Sequence, residues 1–140
     1  MNNDARSSTY DLETRAVISE LKEEVYFRNE AKERVTDQIA ELQKEIQRYE
    51  IKVAHKADEI DENKAYIRRR SNEEGWLKKN GHRHHGYIQE VELEIEPLRT
   101  KIARANDRIM IHRNTITAIE FQRQEKQQEI RQLENSLISS

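Results

Sequence analysis

Apolar residues recur along most of the chain with alternating spacings of three and four positions. When Ile18 is placed at position a of a seven-residue repeat, positions a and d collect aliphatic residues as far as Ile67. The a series of this first array is Ile18, Val25, Lys32, Ile39, Ile46, Val53, Ile60 and Ile67. Its d series is Thr14, Leu21, Arg28, Val35, Leu42, Tyr49, Lys56 and Asn63. A sustained repeat of this kind is typical of a coiled coil.

A second array begins with Ile88 at position a. Its a series is Ile88, Ile95, Ile102, Ile109, Ile116, Arg123, Ile130 and Leu137, and its d series is Val91, Leu98, Ala105, His112, Ile119, Lys126 and Leu133. Eleven of the fifteen isoleucines in the chain occupy a positions of the two arrays. The pattern therefore predicts two long helices, over residues 9–70 and 88–138, preceded by a flexible N-terminal tail at residues 1–8.

The two arrays are separated by the segment SNEEGWLKKNGHRHHGY, residues 71–87, which holds all three glycines of the chain. Each glycine disfavours a helix by about 1 kcal/mol relative to alanine, and the Asn80–Gly81 pair is a strong turn signal. We therefore interpret residues 71–87 as a loop in which the chain reverses. The alternative is one continuous helix, because Ile67 and Ile88 are in phase. The predicted fold is all-α, a long two-helix antiparallel coiled-coil hairpin that could assemble further into a dimer or four-helix bundle.

The start of the second array leaves one ambiguity. Val91, Leu93 and Ile95 alternate with acidic residues before Pro97, which is also the pattern of a short strand. Against a strand, Ile88, Val91 and Ile95 keep the heptad phase of the later array. The sequence favours a helix with a kink near Pro97.

Composition narrows the class of protein. Apolar residues make up 34% and charged residues 37% of the chain, whereas globular proteins average about 45–50% and about 25%. The formal net charge is −2 and cysteine is absent, so the sequence offers no disulfide and no thiolate metal site. No apolar run is long enough to cross a bilayer. We expect a soluble cytoplasmic protein that does not bind membranes.

The candidate metal and phosphate sites lack the spacing or the residues that such sites require. His82, His84 and His85 are weak candidates for a metal site, because their spacing matches no established zinc pattern. Gly81 and Gly86 have the spacing of a phosphate-binding loop, but the residues that follow, Tyr87 and Ile88, lack its lysine and hydroxyl. We expect no enzymatic activity and no cofactor.

The stronger signal is a basic tip between residues 66 and 87. Six cations and two acids give this segment a net charge of +4, with Tyr66, Trp76 and Tyr87 interleaved. The predicted contact residues are Arg68, Arg69, Arg70, Trp76, Lys78, Lys79, Arg83 and Tyr87. Such a surface suits an acidic protein partner or, alternatively, a nucleic acid. A third interpretation is that Trp76 and Leu77 only cap the end of the coiled coil.

A second set of unusual residues interrupts the seam, the line of a and d positions where the helices meet. Arg28, Lys32, Arg123 and Lys126 occupy seam positions, where they could pair with neighbouring glutamates. Tyr26, Phe27 and Phe121 lie nearby at outer heptad positions. We interpret these seven residues as a contact for a second copy of the chain. The sequence as a whole predicts a non-catalytic interaction protein, an adaptor, assembly factor or inhibitor, with a nucleic-acid-binding hairpin as the alternative.

Overall fold

The computed structural model describes the backbone of residues 2–139 and the side chains of residues 9–138. Helix α1 spans Asn2–Arg70 and helix α2 spans Trp76–Ser139. The two helices pack against each other as a hairpin, and no strand occurs among residues 2–139. The prediction of an all-α helical hairpin is confirmed. Contacts divide the chain into a terminal half, residues 1–39 with 110–140, and a turn half, residues 40–109.

The terminal half is held by a small apolar cluster between the helices. Ile18, Leu21 and Ile130 form its buried part. Val25, Leu133 and Leu137 pack against them and are partly buried. Lys22 reaches Glu134 across the helix pair at 3.4 Å, and Lys32 reaches Glu120 at 2.9 Å. A lysine further along α1 thus pairs with a glutamate earlier in α2, so the helices of this half are antiparallel.

The turn half contains a larger apolar cluster, formed from the seam positions nearest the reversal. Its buried members are Ile60, Ile67, Ile88, Val91 and Ile95. Val53 and Trp76 pack against this cluster and are partly buried. Even Val91, its most buried member, keeps 3% of its surface exposed. Two helices enclose only one line of side chains, so most other positions remain open to solvent.

The reversal is shorter than predicted, and the loop assignment for residues 71–87 is wrong at its C-terminal end. The chain turns within residues 71–75, and α2 begins at Trp76. Gly75 has a φ of 78°, a conformation that side chains disfavour. Its carbonyl accepts the first hydrogen bond of α2, from Lys79 N at 3.2 Å. The Asn80–Gly81 pair, whose sequence predicts a turn, lies within α2.

Two further expectations about chain ends and strands also change. Residues 2–8, predicted to be a flexible tail, belong to α1, whereas residue 1 lies outside the described residues. The strand alternative near Pro97 is wrong, because Pro97 lies inside α2. Pro97 removes the hydrogen bond to the carbonyl of Leu93, but Leu93 is 70% exposed, so solvent is close to this site. Packing of Val91 and Ile95 in the seam therefore maintains the helix.

Candidate functional site

The turn itself is fixed by hydrogen bonds that involve its own residues. Ser71 Oγ donates to the carbonyl of Arg68 at 2.7 Å, at the end of α1. Arg70 Nη1 lies 3.0 and 3.1 Å from the two carboxylate oxygens of Glu73. The hydrogen bond to Glu73 is the main cause that raises the pKa of the Arg70 guanidinium. Arg70 is thus engaged within the turn, unlike the other cations predicted for the tip.

An aromatic cluster joins the two helices beside the turn. The Trp76 ring stacks on His84 with centroids 5.4 Å apart, and both rings contact Tyr66 at 5.8 and 5.5 Å. The Arg70 guanidinium lies 5.4 Å from the centroid of the Tyr66 ring. Aromatic pairs of this kind stabilise by about 0.5–1.5 kcal/mol beyond the area they bury. These contacts account for the helical start of α2 in a segment rich in glycine.

Packing within this aromatic cluster determines which of the predicted tip residues are exposed and able to contact a partner. Trp76 is half-buried against the apolar cluster of the turn half, which favours the interpretation that it caps the seam. Leu77 and Tyr87 are 44% and 43% exposed and are the larger apolar surfaces available there. Sequence reasoning singled out Trp76 and gave His84 no packing role. The sequence carried no signal for their contact, because eight residues cover about 12 Å of a helix and both rings meet beside Tyr66 of α1.

Five cations of the tip face solvent, and we call them the tip cations. They are Arg68, Arg69, Lys78, Lys79 and Arg83. Within the described residues, none of them forms an ion pair. From Trp76 to Gln89 the sequence contains no carboxylate. The tip is therefore a surface of positive charge that its own chain does not neutralise.

Two of the tip cations lie where a helix least tolerates them. Lys78 and Lys79 occupy the first turn of α2, which carries no acidic residue. The N-terminal end of a helix has a partial positive charge, and a charged group there changes stability by about 0.3–1 kcal/mol. Arg68 and Arg69, in the last turn of α1, have the favourable placement. Local helix stability therefore does not account for Lys78 and Lys79.

The three histidines of the segment do not converge on one point. His82 and His85 are exposed, while His84 is half-buried in the aromatic cluster. No group of three or more His, Cys, Asp or Glu side chains in the described part of the chain is arranged to hold a metal ion.

The four cations at seam positions of the terminal half have partners within the hairpin. Lys126 Nζ lies 3.1 Å from Glu24 Oε2, an ion contact whose geometry falls outside that of a hydrogen bond. Lys32 pairs with Glu120 at 2.9 Å. The two arginines bind neutral groups. Arg28 Nη1 donates to the Glu24 carbonyl at 3.2 Å and Nε to Gln122 at 3.4 Å, and Arg123 Nη1 donates to Asn29 at 2.9 Å.

The aromatic residues beside these cations remain exposed. Tyr26, Phe27 and Phe121 keep 59%, 57% and 61% of their surface. Tyr26 and Phe27 contact each other edge to face, with centroids 5.9 Å apart. Each seam cation has a partner within the hairpin, although the buried Nε of Arg123 has none, so these cations are weaker support for a second copy at this end. Self-association through the three aromatic residues stays a prediction.

Comparisons with known proteins give no information about the role of the tip. No protein-family model, curated protein or solved structure matches the chain. Across the part of the chain that the structure describes, neither helix has a stretch apolar enough to span a bilayer.

Proposed function

We propose that the chain is a non-catalytic interaction protein whose tip binds an acidic surface of a larger protein partner. The observation that carries the proposal is the concentration of five exposed cations at the tip, with no carboxylate between Trp76 and Gln89. Placing Lys78 and Lys79 at the start of α2 costs stability. A carboxylate-bearing partner would offset that cost, because it would place negative charge beside the first turn of α2, which has no acidic residue of its own.

The apolar residues of the tip favour a protein over a single-stranded nucleic acid. Successive bases stack on a series of free aromatic faces, whereas Trp76 and Tyr66 contact each other and His84, which leaves Tyr87 exposed. Leu77 and Tyr87 offer exposed apolar area of the kind that protein interfaces use beside charged groups. Binding to a nucleic acid through the phosphates alone remains the alternative function.

The test compares two labelled polyanions of equal charge, an oligoglutamate peptide and a single-stranded oligonucleotide. Fluorescence anisotropy at about 50 mM salt would measure the affinity for each, since charge-driven binding is strongest at low salt. The variant is Arg68→Gln, Arg69→Gln and Lys78→Gln combined. We expect the native chain to bind the peptide and the variant to bind it about tenfold more weakly or worse. The variant loses two favourably placed cations from the last turn of α1 and one unfavourably placed cation from the first turn of α2, so its free energy of unfolding should fall by no more than about 1 kcal/mol.

A matched control replaces three exposed arginines of the terminal half: Arg34→Gln, Arg113→Gln and Arg131→Gln. This control has the same net charge as the tip variant, so equal loss of binding in both would reduce the effect to net charge and contradict the proposal. Tighter, tip-dependent binding of the oligonucleotide would replace the protein partner by a nucleic acid. Affinity capture from native lysate with and without nuclease, using the same two variants, would then isolate the ligand.

A further inference from the structure

The first six turns of α2, about 21 residues, are divided by charge. Lys78, Lys79 and Arg83 precede Tyr87, and four glutamates follow it before the next cation, Arg99. The glutamates are Glu90, Glu92, Glu94 and Glu96, and all of them are exposed. Only Glu94 forms an ion pair among the described residues, with Lys56 at 2.6 Å. A basic segment and an acidic segment therefore adjoin on one helix.

Arg83 and Glu90 have no partner available on their own helix. Side chains three or four positions apart can pair, but no carboxylate stands at those distances from Arg83, and no cation stands at those distances from Glu90. The two residues occupy the same heptad position, c, on the outer side of α2. Seven residues separate them, about 10 Å along the axis, which is too far for a direct contact.

Gly86 lies between these two residues and has no explanation within the hairpin. It occupies heptad position f, opposite the seam, and a Cβ placed there would meet nothing within 4 Å. Its φ is not in the left-handed region, so alanine would fit and would stabilise the helix by about 1 kcal/mol. Glycine at an outer helical position does allow another backbone to approach closely.

We infer that a second copy of the chain docks antiparallel on the outer side of α2, with a two-fold axis beside Gly86. In this arrangement Arg83 of each copy meets Glu90 of the other, which gives two equivalent ion pairs. A two-fold contact is self-complementary, so each residue pair occurs twice. The basic segment of one helix then covers the acidic segment of its partner along the whole contact.

The same axis supplies an apolar contact. Lys79, Gly86 and Leu93 are spaced by seven residues and share position f. With Gly86 on the axis, Leu93 of one copy lies at the level of Lys79 of the other. Leu93 is 70% exposed, and the methylene stem of a lysine can cover an apolar side chain while its charge stays in water. The contact uses Lys79 and Arg83, and it leaves Arg68, Arg69 and Lys78 free for the proposed acidic partner.

Charge reversal tests the ion pairs. Sedimentation equilibrium at about 50 mM salt, where surface charges are least screened, should show the native chain moving from 16.8 kDa towards twice that mass as concentration rises. Arg83→Glu or Glu90→Arg alone creates two like-charged pairs and should raise the dimer dissociation constant about tenfold or more. Combining Arg83→Glu with Glu90→Arg restores both pairs and should restore the dimer.

The control for charge reversal is Glu125→Arg, an exposed glutamate at the same heptad position of α2. It should leave the dissociation constant unchanged. A chain that stays monomeric overturns the inference, as does a mass that rises beyond two copies. A dimer that Arg83→Glu does not weaken also overturns it, and would direct attention to Tyr26, Phe27 and Phe121 instead.

A cysteine scan tests the axis directly, since the chain contains no cysteine of its own. Gly86→Cys places one thiol beside the two-fold axis, where its copy is close enough to form a disulfide under mild oxidation. Asn114→Cys is the control, because it is exposed and shares position f on the same helix. We expect a disulfide-linked dimer from the first variant and a monomer from the second. Equal linkage of both variants would show random collision and would contradict the two-fold axis.

Discussion

Cations in the two halves of the hairpin have opposite relations to the heptad pattern. In the terminal half, Arg28, Lys32, Arg123 and Lys126 occupy seam positions where apolar residues are expected, yet each contacts a carboxylate, an amide or a carbonyl. In the turn half, the tip cations keep to outer positions, yet none has an ion-pair partner among the described residues. A cation that interrupts the heptad pattern can thus serve the structure of the hairpin and not a binding site. A local excess of one charge, as in the carboxylate-free segment from Trp76 to Gln89, is the better guide to a binding surface.

The largest expected effect concerns the source of stability in the turn half. If its charged surface serves binding, stability must come from the seam, where Ile95 is 6% exposed. Ile95→Ala should lower the free energy of unfolding by about 3 kcal/mol, through lost burial and a residual cavity. Chemical denaturation followed by circular dichroism measures this change.

The control is the same substitution at an outer position. Ile51 also belongs to the turn half but is 58% exposed, and Ile51→Ala should change the free energy of unfolding by less than about 0.5 kcal/mol. Comparable losses in both variants would mean that the outer face is covered in solution, and would remove the distinction between seam and surface.

A smaller effect is expected at the seam cations of the terminal half. Lys126 and Glu24 side chains are 29% and 46% exposed, so solvent screens their attraction. Lys126→Glu sets two carboxylates against each other and should cost about 1 kcal/mol, within the range of partly exposed pairs. Adding Glu24→Lys reverses the pair and should recover most of the loss, as a double-mutant cycle by urea denaturation would show. A double variant no more stable than Lys126→Glu would contradict a structural role for the pair.

The helical hairpin and its antiparallel pairing could be predicted from the sequence, because isoleucines at heptad positions report directly which side of each helix is buried. Ile67, the last a position of the first array, and Ile88, the first of the second array, share one buried cluster. The length of the turn could not be predicted. Helix propensity counts Gly81 and Gly86 against a helix, whereas the contacts of Trp76 and His84 with Tyr66 depend on side-chain packing between the helices. Gly75, which does adopt a left-handed conformation, is the glycine on which the turn depends.

The candidate site was predictable in composition but not in the state of each residue. The excess of positive charge at the tip is visible in the sequence, and the five tip cations are indeed exposed. The sequence does not show that Arg70 pairs with Glu73 or that Trp76 packs against the seam. Both contacts depend on distances that exist only in the folded chain. For the same reason the partners of Arg28 and Arg123 turned out to be amide and carbonyl oxygens rather than the glutamates that sequence reasoning considered.

The smallest expected effect is a pH dependence carried by one seam pair. The pKa of Glu120 lies below its usual value, first because of the hydrogen bond from Lys32 and then because of the positive charge of Lys32. A carboxyl group whose pKa is lower in the folded chain stabilises the fold at pH values above its unfolded pKa. That contribution is lost as the pH falls through the folded pKa.

Lys32→Gln should therefore lower the free energy of unfolding at neutral pH, and the difference in free energy between this variant and the native chain should shrink in acid. Denaturation at a series of pH values measures this difference, with Lys44→Gln at an exposed outer position as control. A difference that stays constant with pH would show that Lys32 contributes through the packing of its stem and not through its charge.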